Sequence, residues 1–222
     1  MTSNGVRTAQ EIYDAYRIMP ALQLHQLRVA AVAKTLCDNL TRDVDTHTVV
    51  LACLFHDMGN IIKSDLSLFP EFCEPEGVAH WQFVKNDFVK TYGGNTHVAN
   101  VAIARELHLP DTVIRLIDDI GFSRLPVIQE SSSYELKLVE YGDMRTGPHG
   151  VIPMDARIAE GKTRFENKHP GEHRDESEWE SIVASAREIE RQIFAEATIA
   201  PDDITEQSIQ PLIAELRVYP AA

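Results

Sequence analysis

The strongest constraint in the chain is a run of seven apolar residues, Val49-Val-Leu-Ala-Cys-Leu-Phe55, that leads directly into His56-Asp57. Asp45 is a suitable helix cap upstream and Gly59 a suitable helix end downstream, so the spacing predicts a helix. A helix that is apolar on every side belongs at the centre of a fold. It is far too short for a bilayer, which needs about 20 residues. Burying an imidazole and a carboxylate at its end is costly unless something pairs with them. Mutual hydrogen bonding or capping of a neighbouring helix is one solution. A divalent metal, which accepts a neutral imidazole and a carboxylate together, is the other. Adjacent helical side chains diverge by about 100°, so the remaining partners must come from other helices.

The rest of the chain also reads as helix. Thr8-Ala-Gln-Glu11 and Ser132-Ser-Tyr-Glu135 have the form of capping boxes. Helical periodicity runs through 21–40, from Val78 to Tyr92, from Thr96 toward Pro110, from Asp111 toward Gly121, and from 132 to Tyr141. Helices are also predicted over 154–166 and 177–197, with a short one near Leu212 to Leu216. Proline and glycine mark 61–76 and 145–153 as loops, and 167–176 is a polar linker. Residues 124–129 are expected to be a short extended piece. Trp179, Ile182, Ala186, Ile189 and Ile193 form one apolar stripe, which is expected to pack on the core, with a dimer contact as the alternative. The expected fold is all-α. Residues 1–166 form a helical core with its motifs in 20–145, and residues 167–222 form a helical C-terminal extension packed on it.

Charge narrows the partners. Lys and Arg total 21 against 34 Asp and Glu, giving a net charge of −13. No basic stripe interrupts this excess, which disfavours nucleic acid polymers and anionic membrane surfaces. A small anionic substrate remains possible where a metal or a few cations reverse the field. Met1-Thr-Ser-Asn-Gly-Val-Arg has no apolar segment of the secretory type. The three cysteines, Cys37, Cys53 and Cys73, are odd in number and form no Cys-x-x-Cys. Free thiols and a cytoplasmic location are the expectation.

Two further segments carry metal-type side chains on apolar helices. His25 lies in Leu24-His25-Gln-Leu-Arg28, and Asp143 follows an apolar helical stretch in Tyr141-Gly142-Asp143-Met-Arg145. Each alone reads as a core histidine or a cap. Together with His56-Asp57 they make two imidazoles and two carboxylates from three segments, a set that a helical bundle can converge on one ion. In this order the residues resemble the HD-domain superfamily of metal-dependent phosphohydrolases, named for the His-Asp doublet. His25-x-x-Arg28-Val-Ala and Leu54-Phe55-His56-Asp57-Met58-Gly59 fit its local pattern, and the resemblance covers roughly residues 20–145. It implies an HD-domain-like helical bundle and hydrolysis of phosphate esters, often nucleotides. It also implies a divalent ion (Mn, Fe, Mg, Co, Ni or Zn) held by His25, His56, Asp57 and Asp143. Some relatives bind a second metal through further histidines. His80, His97 and His108 are the available ones, but no His-His pair occurs and Asp118-Asp119 stands where some relatives have histidine. One metal is therefore expected.

Phosphate-ester hydrolysis needs a nucleophilic water and positive charge near the phosphoryl group. Asp57 can serve both as ligand and to orient the water. Arg28, one helical turn beyond His25, Lys63, shortly after the doublet, and Arg145, two residues after Asp143, are the candidate cations; each taken singly reads as a solvated surface cation, Arg28 least so because its neighbours are mostly apolar. His80 could donate to phosphate. His169 and His173 stand four apart, but Pro170-Gly171 breaks any helix between them. The reading is an enzyme, monomer or homodimer, acting on a small phosphorylated metabolite, plausibly a nucleotide. Its specificity would rest on the loops at 61–77 and 121–133. The alternatives are a di-iron HD-type oxygenase and a non-catalytic regulatory module that binds metal or nucleotide. From the charge alone, duplex DNA should bind weakly at physiological salt. A submicromolar, salt-sensitive complex in a filter-binding titration would contradict that expectation.

Overall fold

The computed structural model describes residues 6–168 and 175–221. Among them are eleven α-helices. The first six are α1 (Ala9–Ala15), α2 (Pro20–Cys37), α3 (Thr46–Phe55), α4 (Val78–Tyr92), α5 (Thr96–Glu106) and α6 (Asp111–Asp119). The remaining five are α7 (Leu125–Glu130), α8 (Tyr134–Met144), α9 (Met154–Lys168), α10 (Glu176–Phe194) and α11 (Glu206–Arg217). The only sheet among the described residues is a hairpin, β1 (Thr146–Gly147) paired antiparallel with β2 (Gly150–Val151). No described helix is long and apolar enough to cross a membrane.

The apolar run forms α3, and every residue from Thr48 to Phe55 is buried. Asp45 caps it, its carboxylate accepting the Thr48 N–H at 3.0 Å. Helices α2, α6 and α8 pack around it. Helix α1, closed by the Thr8–Glu11 capping box, lays Tyr13 against it, and the buried phenol donates to the Leu54 carbonyl at 2.7 Å. Pro20 opens α2 at its first position, where a missing N–H costs nothing. The two ends of the described chain meet: Ala9 N–H donates to Tyr219 O at 3.0 Å and Ala221 N–H to Arg7 O at 2.9 Å.

Several local expectations change. Ser133, one residue later than expected, caps α8, accepting from Leu136 N–H at 3.1 Å. Glu135 accepts from the Ser133 hydroxyl at 3.1 Å and from the Asp45 N–H at 3.3 Å, and closes no capping box. Asn95 rather than Thr96 caps α5. The loop at 61–76 contains two short 3₁₀ helices, Asn60–Lys63 and Pro70–Cys73. Residues 124–129 are not extended: a 3₁₀ turn at Phe122–Arg124 runs into α7. Leu125 and Ile128, three apart and both buried, serve the α7 surface packed against α10. Burying such a pair contributes about 1.5–3 kcal/mol per side chain, which outweighs a weak local preference for extension. The stripe on α10 is itself buried at Ile182, Ala186, Ile189 and Ile193, against α7 and α8, while α11 packs on α2. His169 and His173 lie outside the described residues.

Arg145 is not a surface cation. It is 3% exposed and donates to the carbonyls of Ile152, Pro201 and Ile204 and to the Tyr141 hydroxyl at 2.8–3.2 Å. It thereby ties the end of α8 to the hairpin strand region and to the chain entering α11. Helix α8 also runs past Gly142 to Met144, so Asp143 lies in its last turn rather than beyond it. Gly142 allows this, because a Cβ there would meet the Val29 carbonyl oxygen at 2.9 Å and Val29 Cγ1 at 3.2 Å. Gly142→Ala should force α8 away from α2 and cost about 1–3 kcal/mol. Gly94→Ala, where nothing lies within 4 Å, should cost less. Urea midpoints of the two variants test the difference.

Candidate metal centre

Three helices deliver the cluster. His25 projects from α2, His56 closes α3 with Asp57 next to it, and Asp143 comes from the last turn of α8. His25 Nε2 lies 3.1 Å from Asp143 Oδ1 and 3.5 Å from Asp57 Oδ2. His56 Nε2 lies 3.6 Å from Asp57 Oδ2 and 3.8 Å from Asp143 Oδ1, beyond hydrogen-bond length. Donors held about 2.1 Å from one ion stand about 3.0–3.4 Å apart, so these separations resemble the edges of a coordination shell. His25, His56 and Asp143 offer donor atoms that all lie within 4.8 Å of one another.

The hydrogen bonds around the cluster set its chemistry. His56 Nδ1 lies 2.8 Å from the Cys53 carbonyl oxygen, which can only accept. Nδ1 therefore carries a proton, and when the ring is neutral it is the Nε2 lone pair that faces the cluster. That Nε2 is buried and has no hydrogen-bond partner among the described residues, an expensive condition that a metal ion would relieve. The Asp57 N–H donates to the Gln26 side-chain carbonyl at 3.2 Å, and the Gly59 N–H to Asn100 Oδ1 at 2.6 Å. A Cβ on Gly59 would meet Ala99 Cβ at 2.7 Å, so the turn after the doublet is pressed onto α5. Side-chain exposure rises from 2% at His56 through 17% at Asp57 and 20% at His25 to 34% at Asp143. The cluster is thus closed behind His56 and open beside Asp143. The donor set, two imidazoles with carboxylate, suits a divalent transition ion.

The other sequence candidates divide. Arg28 stays on the His25 side of α2, but its guanidinium holds both Glu206 carboxylate oxygens at 2.8–3.0 Å and the His149 carbonyl at 3.3 Å. Lys63 ends the first 3₁₀ helix and lines a cavity of about 770 Å³, together with Met19, Phe69, Phe72 and Arg164. His80 lies exposed at the start of α4 with its ring edge-on to Trp81, and lines neither cavity nor cluster. His97 pairs with Asp118 at 2.7 Å on the surface, and neither it nor His108 joins the cluster.

Sequence reasoning missed three participants. Glu140, one turn before Asp143, is 2% exposed and accepts the Gly121 N–H at 2.8 Å. Burial, and then the Asp143 charge, push it up to about 7. Its i, i+3 spacing from Asp143 was the available signal. Arg164 on α9 and Glu206 on α11 gave no such signal, because their partners are far away in sequence.

Burial opposes charge on every member of the cluster, yet the pairings prevail. The Asp57 and Asp143 carboxylates raise His56 to about 9 and also lift His25 above its usual range. The imidazoles and then Lys63 hold Asp57 at about 2, and the imidazoles hold Asp143 well below the carboxylate range. The raised histidines contribute stability that is complete below 6.5 and lost as pH rises through their folded values. The lowered aspartates contribute stability that is complete above 3.8 and lost as pH falls toward about 2. Metal-free protein should therefore lose melting temperature from this cluster between pH 6.5 and about 9. Bound metal needs deprotonated imidazoles, so stabilisation by added Mn should grow across the same window. Melting curves with chelator and with Mn test both trends, and a flat metal gain would contradict the assignment.

No curated protein and no solved structure matches the chain. Residues 23–120 match the family model of the HD domain. The match spans His25, His56 and Asp57, and the fold adds Asp143 from beyond its end. Residues 23–120 are thus similar to the HD domain, and together with the chelating cluster of His25, His56 and Asp143 this match supports classification with the HD-domain metal-dependent phosphohydrolases.

Proposed function

We propose that the protein hydrolyses the phosphate ester of a small metabolite, a nucleotide in class, at the cluster of His25, His56, Asp57 and Asp143. The observation that carries this reading is the buried His56 Nε2, which faces two carboxylates without a hydrogen-bond partner. A divalent ion supplies Lewis-acid polarisation of a phosphoryl oxygen and lowers the pKa of its water.

In this reading His25, His56 and Asp143 hold the ion, and Asp57 is the fourth ligand. Asp57 Oδ2 also orients the attacking water and accepts its proton. Gln26 keeps that carboxylate in register through its bond to the Asp57 N–H. Lys63 supplies positive charge beside Asp57. Arg28, held by Glu206, acts as a positioning residue that fixes the His25 face of α2 against α11. His80 is assigned no contact with the reacting atoms.

Protein stripped of metal and resupplied with Mn, Mg, Co, Ni, Fe or Zn should release phosphate from at least one small ester only when metal is present. Asp57→Asn should lower kcat by about 100-fold or more. Metal content of that variant, read by elemental analysis, should be less reduced than that of His56→Ala. Two irons per chain with oxygen consumption would instead identify an oxygenase. Metal binding without hydrolysis of any ester would identify a regulatory module.

A further inference from the structure

The cavity beside the cluster is built from three separated parts of the chain: Met19, the segment 63–73 and one face of α9. Its volume, about 770 Å³, is within the range of small-molecule sites, roughly 300–1,000 Å³. Two of its features point to a ligand. Phe69 and Phe72, both half-buried, lie nearly parallel, with ring centroids 5.1 Å apart and planes at 30°. His149 braces both rings at 5.6 and 5.3 Å, and its carbonyl is held by the Arg28 that Glu206 anchors. The second feature is the pair of cations in the lining, Lys63 and Arg164.

We propose that this cavity is the substrate pocket for a phosphate monoester whose alcohol carries a flat aromatic ring, with Lys63 and Arg164 meeting the phosphate and Phe69 and Phe72 the ring. The proposal rests on the phosphohydrolase reading of the adjoining cluster. Both cations are joined to the cluster through the fold: Lys63 ends the 3₁₀ helix that follows His56-Asp57, and α9, which carries Arg164, packs on α8, which carries Asp143. A phosphate between them would stand beside the open, Asp143 side of the metal ligands.

Charge limits the number of phosphates. In the lining, Lys63 and Arg164 face Asp65 and Glu160, and Glu160 is shared with Arg157 at 3.0 Å and Arg164 at 3.6 Å. A divalent ion held at the cluster would be neutralised by Asp57 and Asp143. Counting Arg157, which also meets Glu160, three cations stand against two carboxylates, one net positive charge that favours a single phosphate, at about −1.5 to −2, over several. Two further phosphates would meet the Asp65 and Glu160 carboxylates and a chain of net charge −13. Phe69 and Phe72, with Met19 and Leu66 also in the lining, give a ring an apolar wall, while Ser64, Thr163 and Asn167 are the uncharged polar side chains there. A heteroaromatic base or an aryl group would stack there.

The test compares kcat/KM of the Mn-loaded, full-length protein for adenosine monophosphate, 1-naphthyl phosphate, ribose 5-phosphate and adenosine triphosphate. The two ring-bearing monoesters should exceed both others by about tenfold or more. Phe72→Ala should raise KM for adenosine monophosphate more than for ribose 5-phosphate, and Arg164→Ala should raise KM for both. Equal rates on ribose 5-phosphate, or a preference for the triphosphate, would overturn the pocket while leaving the phosphohydrolase reading intact. If no ester is hydrolysed with any metal, the catalytic reading fails and calorimetric binding of adenosine monophosphate decides the pocket. Binding weakened about tenfold by Phe72→Ala upholds it, whereas unchanged or undetectable binding overturns it. Far-UV circular dichroism checks the variant's fold, and Phe72→Leu replaces it if Phe72→Ala does not fold.

Discussion

The structure depends on one buried imidazole. His56 ends the most apolar helix of the chain, commits Nδ1–H to the Cys53 carbonyl, and presents a buried, unpartnered Nε2 to two carboxylates. An arrangement this costly persists because the surrounding helices leave it no alternative. Helices α2 and α8 pack on α3 and bring His25 and Asp143 to the same point, so the hydrophobic contacts that bury α3 also gather the ligands. Without an ion, protons moderate the repulsion between the carboxylates, which is why both imidazoles hold theirs so firmly. An ion would replace those protons.

The ligands are held in place by residues far from them in sequence. Glu206, on the last helix, accepts from Arg28 and from the Val151 N–H, and so ties α2 to the hairpin. Arg145 binds carbonyls on both the segment after the hairpin and the approach to α11. Leaving such carbonyls unpaired costs about 1–3 kcal/mol each, so one buried guanidinium keeps the end of α8, and with it Asp143, in register. The C-terminal helices are therefore part of what orients the metal ligands. The cavity lining sets Lys63 and Arg164 against Asp65 and Glu160, so it is less acidic than a chain of net charge −13 taken as a whole.

Much of the fold was legible in the sequence. The periodicity of α2, α3 and α10, the cap at Asp45 and the Thr8–Glu11 capping box are local properties, decided within one or two helical turns. The errors were also local in kind. The segment at 124–129 has little intrinsic preference, and its packing on α10 made it helical. Ser132 and Ser133 are chemically equivalent as caps, and only the register of α8 selects the second.

For the site, the sequence by itself determined that His56 and Asp57 would be buried and in need of partners, because an all-apolar helix leads straight into them. It also supplied His25 and Asp143 as chemically suitable ones. What only the tertiary structure decided is how the cations are used and what else adjoins the cluster. Arg28 meets a carboxylate 178 residues away, Arg145 is enclosed by backbone carbonyls, and Glu140 is buried beside Asp143. Arg164 comes from a polar helix with no marked motif to line the cavity with Lys63. Hydrophobic periodicity reports which face of a helix is buried. The partner of a polar side chain depends on which backbones can approach, and that was set by contacts such as Gly142 against Val29.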